Sequence, residues 1–185
     1  LGPDWGGPLF LSQYPFLGID PRGLCDAYAD YGRQARAHAL VNRHHCLTNP
    51  GGWAGYGPEC WGPTASDDPG GYVAHSPTED TGTITPTAAL GSFPFAPAEA
   101  MPVLRHLHDD LGERIWGEAG FVDAFCPTRD WVAESRLAID QAPIVIGLEN
   151  YRSGLLWRLV SGRPEIQRGL RALGFTAPYL DPMIA

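Results

Sequence analysis

From Asn49 to Thr85 the chain carries Gly, Pro, Ser, Thr and Asp throughout, opening with the cluster Asn49-Pro50-Gly51-Gly52. Proline removes a backbone donor and glycine loses the most conformational entropy on ordering, so no helix of ordinary length runs through such a stretch. A loop this long is uncommon inside a compact domain and is often functional when it occurs. Upstream, LCDAYADYGRQARAHALVNRHHCL at 24–47 contains only Gly32 as a breaker and spaces Ala, Leu, Val and Tyr by threes and fours, which predicts one long helix. Downstream, Pro86 to Leu90 reads as the start of a short helix. PAEAMPVLRHLHDDLGERIWG at 97–117 reads as another, with proline in its first turn, acids near its start and Arg105 and Arg114 later. The stretch from Ile139 to Val160 is apolar nearly all round, which for a helix means burial on several sides, although Ile144, Val145 and Ile146 leave a buried strand open at its start. Pro164 to Leu173 is amphipathic and is closed by Gly174. No regular strand alternation and no internal repeat is evident, so the expected class is all-α with long Gly- and Pro-rich loops.

Charge and composition remove several functions. The 185 residues suit one domain or part of a larger one. All 13 basic residues are arginine, against 21 acids and a net charge of -8, so no polybasic surface suits a phosphate backbone and nucleic acid is excluded as a partner. The longest apolar runs, such as APIVIGL at 142–148, fall well short of the roughly 20 residues of a bilayer span. Gly 23 and Pro 18 approach low-complexity levels, but Trp 6, Tyr 7 and Phe 7 point to a packed, loop-rich protein. The opening LGPDWGGPLFLSQYPF has neither the charged start nor the cleavage site of a secretory signal, so the natural N-terminus is expected to lie further upstream. Cys25, Cys46, Cys60 and Cys126 form no CxxC pair and no zinc-finger spacing, so buried or free thiols are the plain reading and the redox compartment is left open.

The loop from Tyr56 to Pro86 concentrates Glu59, Asp67, Asp68, Glu79 and Asp80 beside Trp61 and Tyr72, with Trp53 just upstream. Acids with aromatics suit carbohydrate. A sugar's apolar ring face stacks on indole or phenol, its hydroxyls bind carboxylates, and two carboxyl groups can protonate a leaving oxygen and either activate water or attack the anomeric carbon. The plainer role for any one of these acids is turn formation. Asp123 lies within the apolar EAGFVDAF, and Glu149 within the apolar 139–160 segment. Arg152 offers Glu149 an ion pair one helical turn away, whereas Asp123 has no such neighbour, so its burial would raise its pKa toward that of a general acid or poised base. His44-His45-Cys46 and His106-x-His108-Asp109-Asp110 contain ligand types, but adjacent helical residues point about 100° apart and do not easily share one ion. No metal and no other cofactor is expected. GxxxxGK[ST], GxGxxG and GxSxG are absent.

SQYPFLGIDPRG at 12–23, YGPECWGPTASD at 56–67, TGTITPTAALGSFPFAP at 81–97, GFVDAF at 120–125 and IDQAPIVIGLENYRSGLLW at 139–157 together resemble, in order, the glycoamylase-like family, which includes bacterial endo-β-1,2-glucanases and the transglycosylase region of cyclic β-1,2-glucan synthases. The resemblance implies an (α/α)6 toroid with a sugar cleft at one end. Residues 1–185 would supply about its C-terminal half, and the missing N-terminal helices, or a self-partner, would complete it. It makes Asp67 and Asp123 the leading catalytic candidates, Glu59, Asp80, Glu149, Tyr151 and Arg152 subsite or supporting residues, and Trp61 and Tyr72 stacking platforms. Pro63, Thr81 and Pro15-Phe16 depart from the family pattern. The implied activity is hydrolysis of a β-glucan, most naturally β-1,2-linked, on an oligo- or polysaccharide substrate in a periplasmic or secreted setting. Transglycosylation and a non-catalytic carbohydrate-binding module are the rivals. Carboxyl groups roughly 6.5–9.5 Å apart would mean inversion, the preferred expectation, and about 5–5.5 Å retention.

Overall fold

The computed structural model describes residues 6–180. A single-turn helix α1 (Phe10–Gln13) runs into a 3-10 turn at Tyr14–Phe16. The helix expected over 24–47 begins only with α2 (Tyr31–Thr48). Acids explain the delay: Asp26 accepts the amides of Tyr28 and Ala29 at 2.7 and 2.9 Å, and Asp30, in extended conformation, caps α2 by accepting the Arg33 amide at 3.0 Å. Both are local side-chain bonds that compete with helix continuation and favour turns and caps. Asn49, with φ 44, ends α2 in the left-handed region.

The breaker-rich stretch is more ordered than a plain loop. Strands β1 (Ala65–Asp68) and β2 (Gly71–Ala74) form an antiparallel hairpin in which Asp67 pairs with Tyr72. Its turn is written in Asp68-Pro69-Gly70-Gly71, where Asp68 Oδ1 accepts the Gly70 amide at 3.0 Å. Two shorter hairpins follow, β3 (Trp116–Gly117) with β4 (Gly120–Phe121), and β5 (Phe125–Cys126) with β6 (Trp131–Val132). Strands of two to four residues are too short to display a period of two in sequence, which is why alternation does not reveal them.

Helix α3 (Pro86–Leu90) is buried at every residue and packs against both α4 (Pro97–Arg105) and α6 (Ala138–Ser153). The helix expected over 97–117 is broken: after α4 comes a π-helical turn at His106–Asp110, then α5 (Gly112–Ile115). The apolar segment from 139 is also two helices, because Gly154 adopts φ 66 and separates α6 from α7 (Leu155–Ser161). Helix α8 (Pro164–Ala172) matches its expected span. Trp61, Ile84, Leu90, Phe93, Val103, Leu107 and Phe121 form the main core around α3. Gly62 lets the segment before β1 lie on α3, since a Cβ there would sit 2.7 Å from Ala88 Cβ. A smaller cluster of Leu24, Leu170, Ala177 and Leu180 joins α8 to the segment before α2.

The architecture is helix-rich, as expected. Burial of the 139–160 segment on several sides is not observed: on α6 Val145 is 67% exposed and Ile139 and Tyr151 also face solvent, as do Leu155 and Leu159 on α7. One flank of α6 packs on α3, whereas the other lines a shallow apolar cavity of about 560 Å³ with Phe93, Met101 and Leu156. No helix among the described residues is long and apolar enough to cross a membrane.

Candidate active site

Side chains alternate along β1, so Ser66 and Asp68 point inward while Ala65 and Asp67 are half-buried on the opposite face. Asp68 is fully occupied. Its carboxylate accepts Thr81 and Thr83 hydroxyls at 2.6 and 2.8 Å and the Gly70 amide, meets His75 Nε2 at 3.3 Å, and has Arg129 at 3.5 Å. Burial alone would push its pKa up, but the bonds from Thr81, Gly70, Thr83 and His75 outweigh it and hold the group at about 2. His75 Nδ1 also lies 3.2 Å from Ser66 Oγ, which accepts the Thr85 hydroxyl at 2.9 Å. Ser66, His75 and Asp68 thus meet like a hydrolytic triad, yet Ser66 and His75 are completely enclosed, and the cluster fastens the hairpin to the core. Asp67, one residue along, is left to face outward.

Asp67 Oδ2 accepts the Ser135 hydroxyl, and its main-chain amide donates to Asp123 Oδ2 at 2.7 Å. Asp123 follows β4 and is tied to the segment after β6, its amide donating to the Ser135 carbonyl at 3.0 Å. Beside it stands Asp140, in the first turn of α6, where the helix N-terminus favours an anion. Tyr14 donates its phenol to Asp140 Oδ1 at 3.3 Å. Asp123 is 1% exposed and Asp140 4%, and their carboxyl groups face each other. Burial raises both pKa values, and the facing Asp123 carboxylate helps push Asp140 up to about 7. Burial, then the charge and hydrogen bond of Asp140, raises the Tyr14 phenol as well. Tyr72 is the cross-strand partner of Asp67, so the two side chains share one face of the hairpin. It is 63% exposed, and its phenol is raised by burial and by the charges of Asp140, Asp123 and Asp67. Three carboxyl groups therefore converge beneath an open aromatic ring, and only Asp67 among the three reaches solvent.

The structure brings together Asp67, Asp123 and Tyr72 and disperses the other anticipated residues. Trp61 is not a stacking platform: it is completely buried in the main core and donates its indole N–H to the Glu99 carbonyl at 3.3 Å. Asp80 is not free to bind a sugar, because it accepts Tyr56 OH at 2.7 Å and the Gly82 amide at 2.9 Å and meets His45 Nε2 at 2.7 Å. Glu149, Tyr151 and Arg152 lie nine to twelve residues beyond Asp140 on the same helix, about 13–18 Å further along its axis. Glu149 is held there by Arg152 at 2.7 Å and by Ser153, beside the shallow apolar cavity. Glu149→Gln is expected to leave the midpoint of a denaturant melt close to that of wild type, as suits an exposed local ion pair; a large fall in the midpoint would mark it as a buried anchor instead. Glu59 is exposed in the turn before Cys60.

Asp140, Tyr14 and Ser135 belong to the site but are not singled out by the sequence. Asp140 looks in sequence like an ordinary first-turn acid, and Tyr14 like part of a short aromatic run. The sole signal for Asp140 and Tyr14 is their place inside the IDQAP and SQYPF motifs, and Ser135 lies in none of the five motifs. Of the ligand-type clusters, His106 pairs with Asp110 and His108 with Asp109 on the surface, and no group of three or more ligand-type side chains among the described residues could hold a metal ion.

The protein family described as Glycoamylase, "Putative glucoamylase", matches residues 3–164. An exo beta-1,2-glucooligosaccharide sophorohydrolase (non-reducing end) of Parabacteroides distasonis is 42% identical over 175 residues, 94% of this chain and 24% of that protein. A structure described as a putative glucoamylase from Bacteroides uniformis superposes with a TM-score of 0.95 at 55% identity, over 98% of this chain and 44% of that one. The endo-beta-1,2-glucanase from Chitinophaga pinensis, solved with sophorotriose and glucose, gives a TM-score of 0.93 at 49% identity over 95% and 43%. The chain thus spans between a quarter and somewhat under half the length of these relatives.

Proposed function

This chain belongs to the Glycoamylase family, and we propose from that premise that it is the carboxylate-bearing part of a glycoside hydrolase acting on β-1,2-linked glucan. The observation that carries the reading is the convergence of Asp67, Asp123 and Asp140 beneath the exposed ring of Tyr72. The β-1,2 linkage rests on likeness to the Parabacteroides and Chitinophaga enzymes.

Asp67 is the carboxylate placed to touch a sugar. In an inverting reaction it takes a proton from the attacking water while a second carboxyl group, on the far side of the glycosidic bond, protonates the leaving oxygen. Asp123 and Asp140 stand behind Asp67 and set the field it works in. The second catalytic carboxyl then comes from the helices that complete an (α/α)6 toroid, of which residues 1–185 form about the C-terminal half. The bare apolar flank of α6 and α7, with Val145, Tyr151 and Leu155 open to solvent, is the seam such helices would cover. Tyr72 would stack on the pyranose ring next to the scissile bond. Its loss in Tyr72→Ala is expected to raise KM about fivefold, equivalent to about 1 kcal/mol of stacking, with kcat changed less. Equal KM values for the two proteins would remove the ring from the substrate site.

The deciding experiment is chromatographic product analysis after incubation with β-1,2-, β-1,3-, β-1,4- and α-1,4-glucans, using the protein with its barrel complete. Cleavage confined to the β-1,2 polymer supports the proposal. Products longer than the substrate would mean transglycosylation, and binding without turnover a non-catalytic module.

A further inference from the structure

Asp123 Oδ1 and Asp140 Oδ2 are both buried and receive no conventional donor among the described residues, although the two carboxyl groups face each other. Their other oxygens are satisfied, Asp123 Oδ2 by the Asp67 amide at 2.7 Å and Asp140 Oδ1 by Tyr14 at 3.3 Å. Two ionised carboxylates in contact can only accept and repel. A single proton between the facing oxygens satisfies both and removes the repulsion.

The groups around the pair agree. Facing it are Asp67 from β1, Tyr72 from β2, His75 just after β2 and Tyr14 from the 3-10 turn; neither Arg nor Lys is among them. Asp140 has the longer Tyr14 bond at 3.3 Å and its helix N-terminus to favour an anion, but Asp123 has the shorter bond, from the Asp67 amide at 2.7 Å, which keeps the anion on Asp123 and leaves the proton on Asp140.

We propose that Asp140 is a positioning residue that carries this proton near neutral pH and donates it to Asp123 Oδ1, holding Asp123 in one orientation and one charge state behind Asp67. The catalytic consequence rests on the glycosidase reading above, whereas the shared proton does not. A native pKa raised above that of an unfolded aspartate means that the folded state holds the proton more tightly. The stability this contributes is full below about pH 4 and is lost as pH rises through about 7.

Infrared spectroscopy of the purified protein at about pH 6 is expected to show a protonated carboxyl band that titrates away as pH passes about 7. Asp140→Asn supplies an amide donor that does not titrate, so the band disappears while the hydrogen bond to Asp123 remains. Tyr14→Phe removes the donor that favours the Asp140 anion, so the band persists to higher pH. In assays on β-1,2-glucan, Asp140→Asn should move the alkaline fall of kcat/KM upward and keep far more activity than Asp140→Ala. A wild-type spectrum without the band, or a band unchanged in both Asp140→Asn and Tyr14→Phe, overturns the proposal. Because the spectrum needs no substrate, a band without glucan cleavage would reject the glycosidase reading and leave the shared proton standing. Cleavage without the band would do the reverse.

Discussion

Asp67→Asn is expected to lower kcat on β-1,2-glucan by on the order of 10²–10⁴-fold, the range over which a positioned acid or base contributes to a proton transfer. The substitution is conservative in every other respect. The amide that holds Asp123 belongs to the main chain and stays, and an asparagine carbonyl can still accept the Ser135 hydroxyl. The side chain is half-buried rather than enclosed, so the melting temperature should change little. What disappears is a carboxylate able to take a proton from water at the sugar. Steady-state kinetics paired with a thermal melt make the measurement. A variant that keeps kcat within tenfold would mean that Asp67 only lines the cleft.

Trp61→Ala tests the opposite kind of residue. Trp61 is completely enclosed in the main core, in the cluster that also holds Phe93 and Leu90, and its indole N–H is bonded to the Glu99 carbonyl. Truncation of a buried aromatic costs about 3–5 kcal/mol, through lost transfer energy and the cavity left behind. For a chain of this size that corresponds to a fall of roughly 10 °C in melting temperature. Below the transition, KM for glucan should remain near wild type. A stacking platform would behave in reverse, with KM raised and the melt unchanged.

The two residues share one motif, YGPECWGPTASD, and nothing in their letters separates them. Tryptophan is as good a sugar platform as a core residue, and aspartate as good a turn former as a base. Asp67 and Asp68 are adjacent and identical, yet strand alternation places one against Ser135 and the other in the cage of Thr81, Thr83 and His75. Choosing between them requires knowing that a strand runs there, and the hairpin was hidden because four residues on each side are too few to show a period. Asp140 was hidden for another reason. An acid in the first turn of a helix is ordinary, and it becomes unusual only when folding brings it from 17 residues downstream to face Asp123.

The amino-acid sequence by itself determined the helix-rich class, the short helix at Pro86, the span of the last helix and the placement of the acids in a breaker-rich segment, because periodicity, proline position and loop chemistry act over a few neighbouring residues. It also carried the family, through five ordered motifs. Only the tertiary structure decided which acids meet, which tryptophan is core and where the long helices break. Those outcomes depend on burial and on contacts between residues far apart in sequence, such as Tyr14 with Asp140 and Asp67 with Asp123, and no local pattern encodes them.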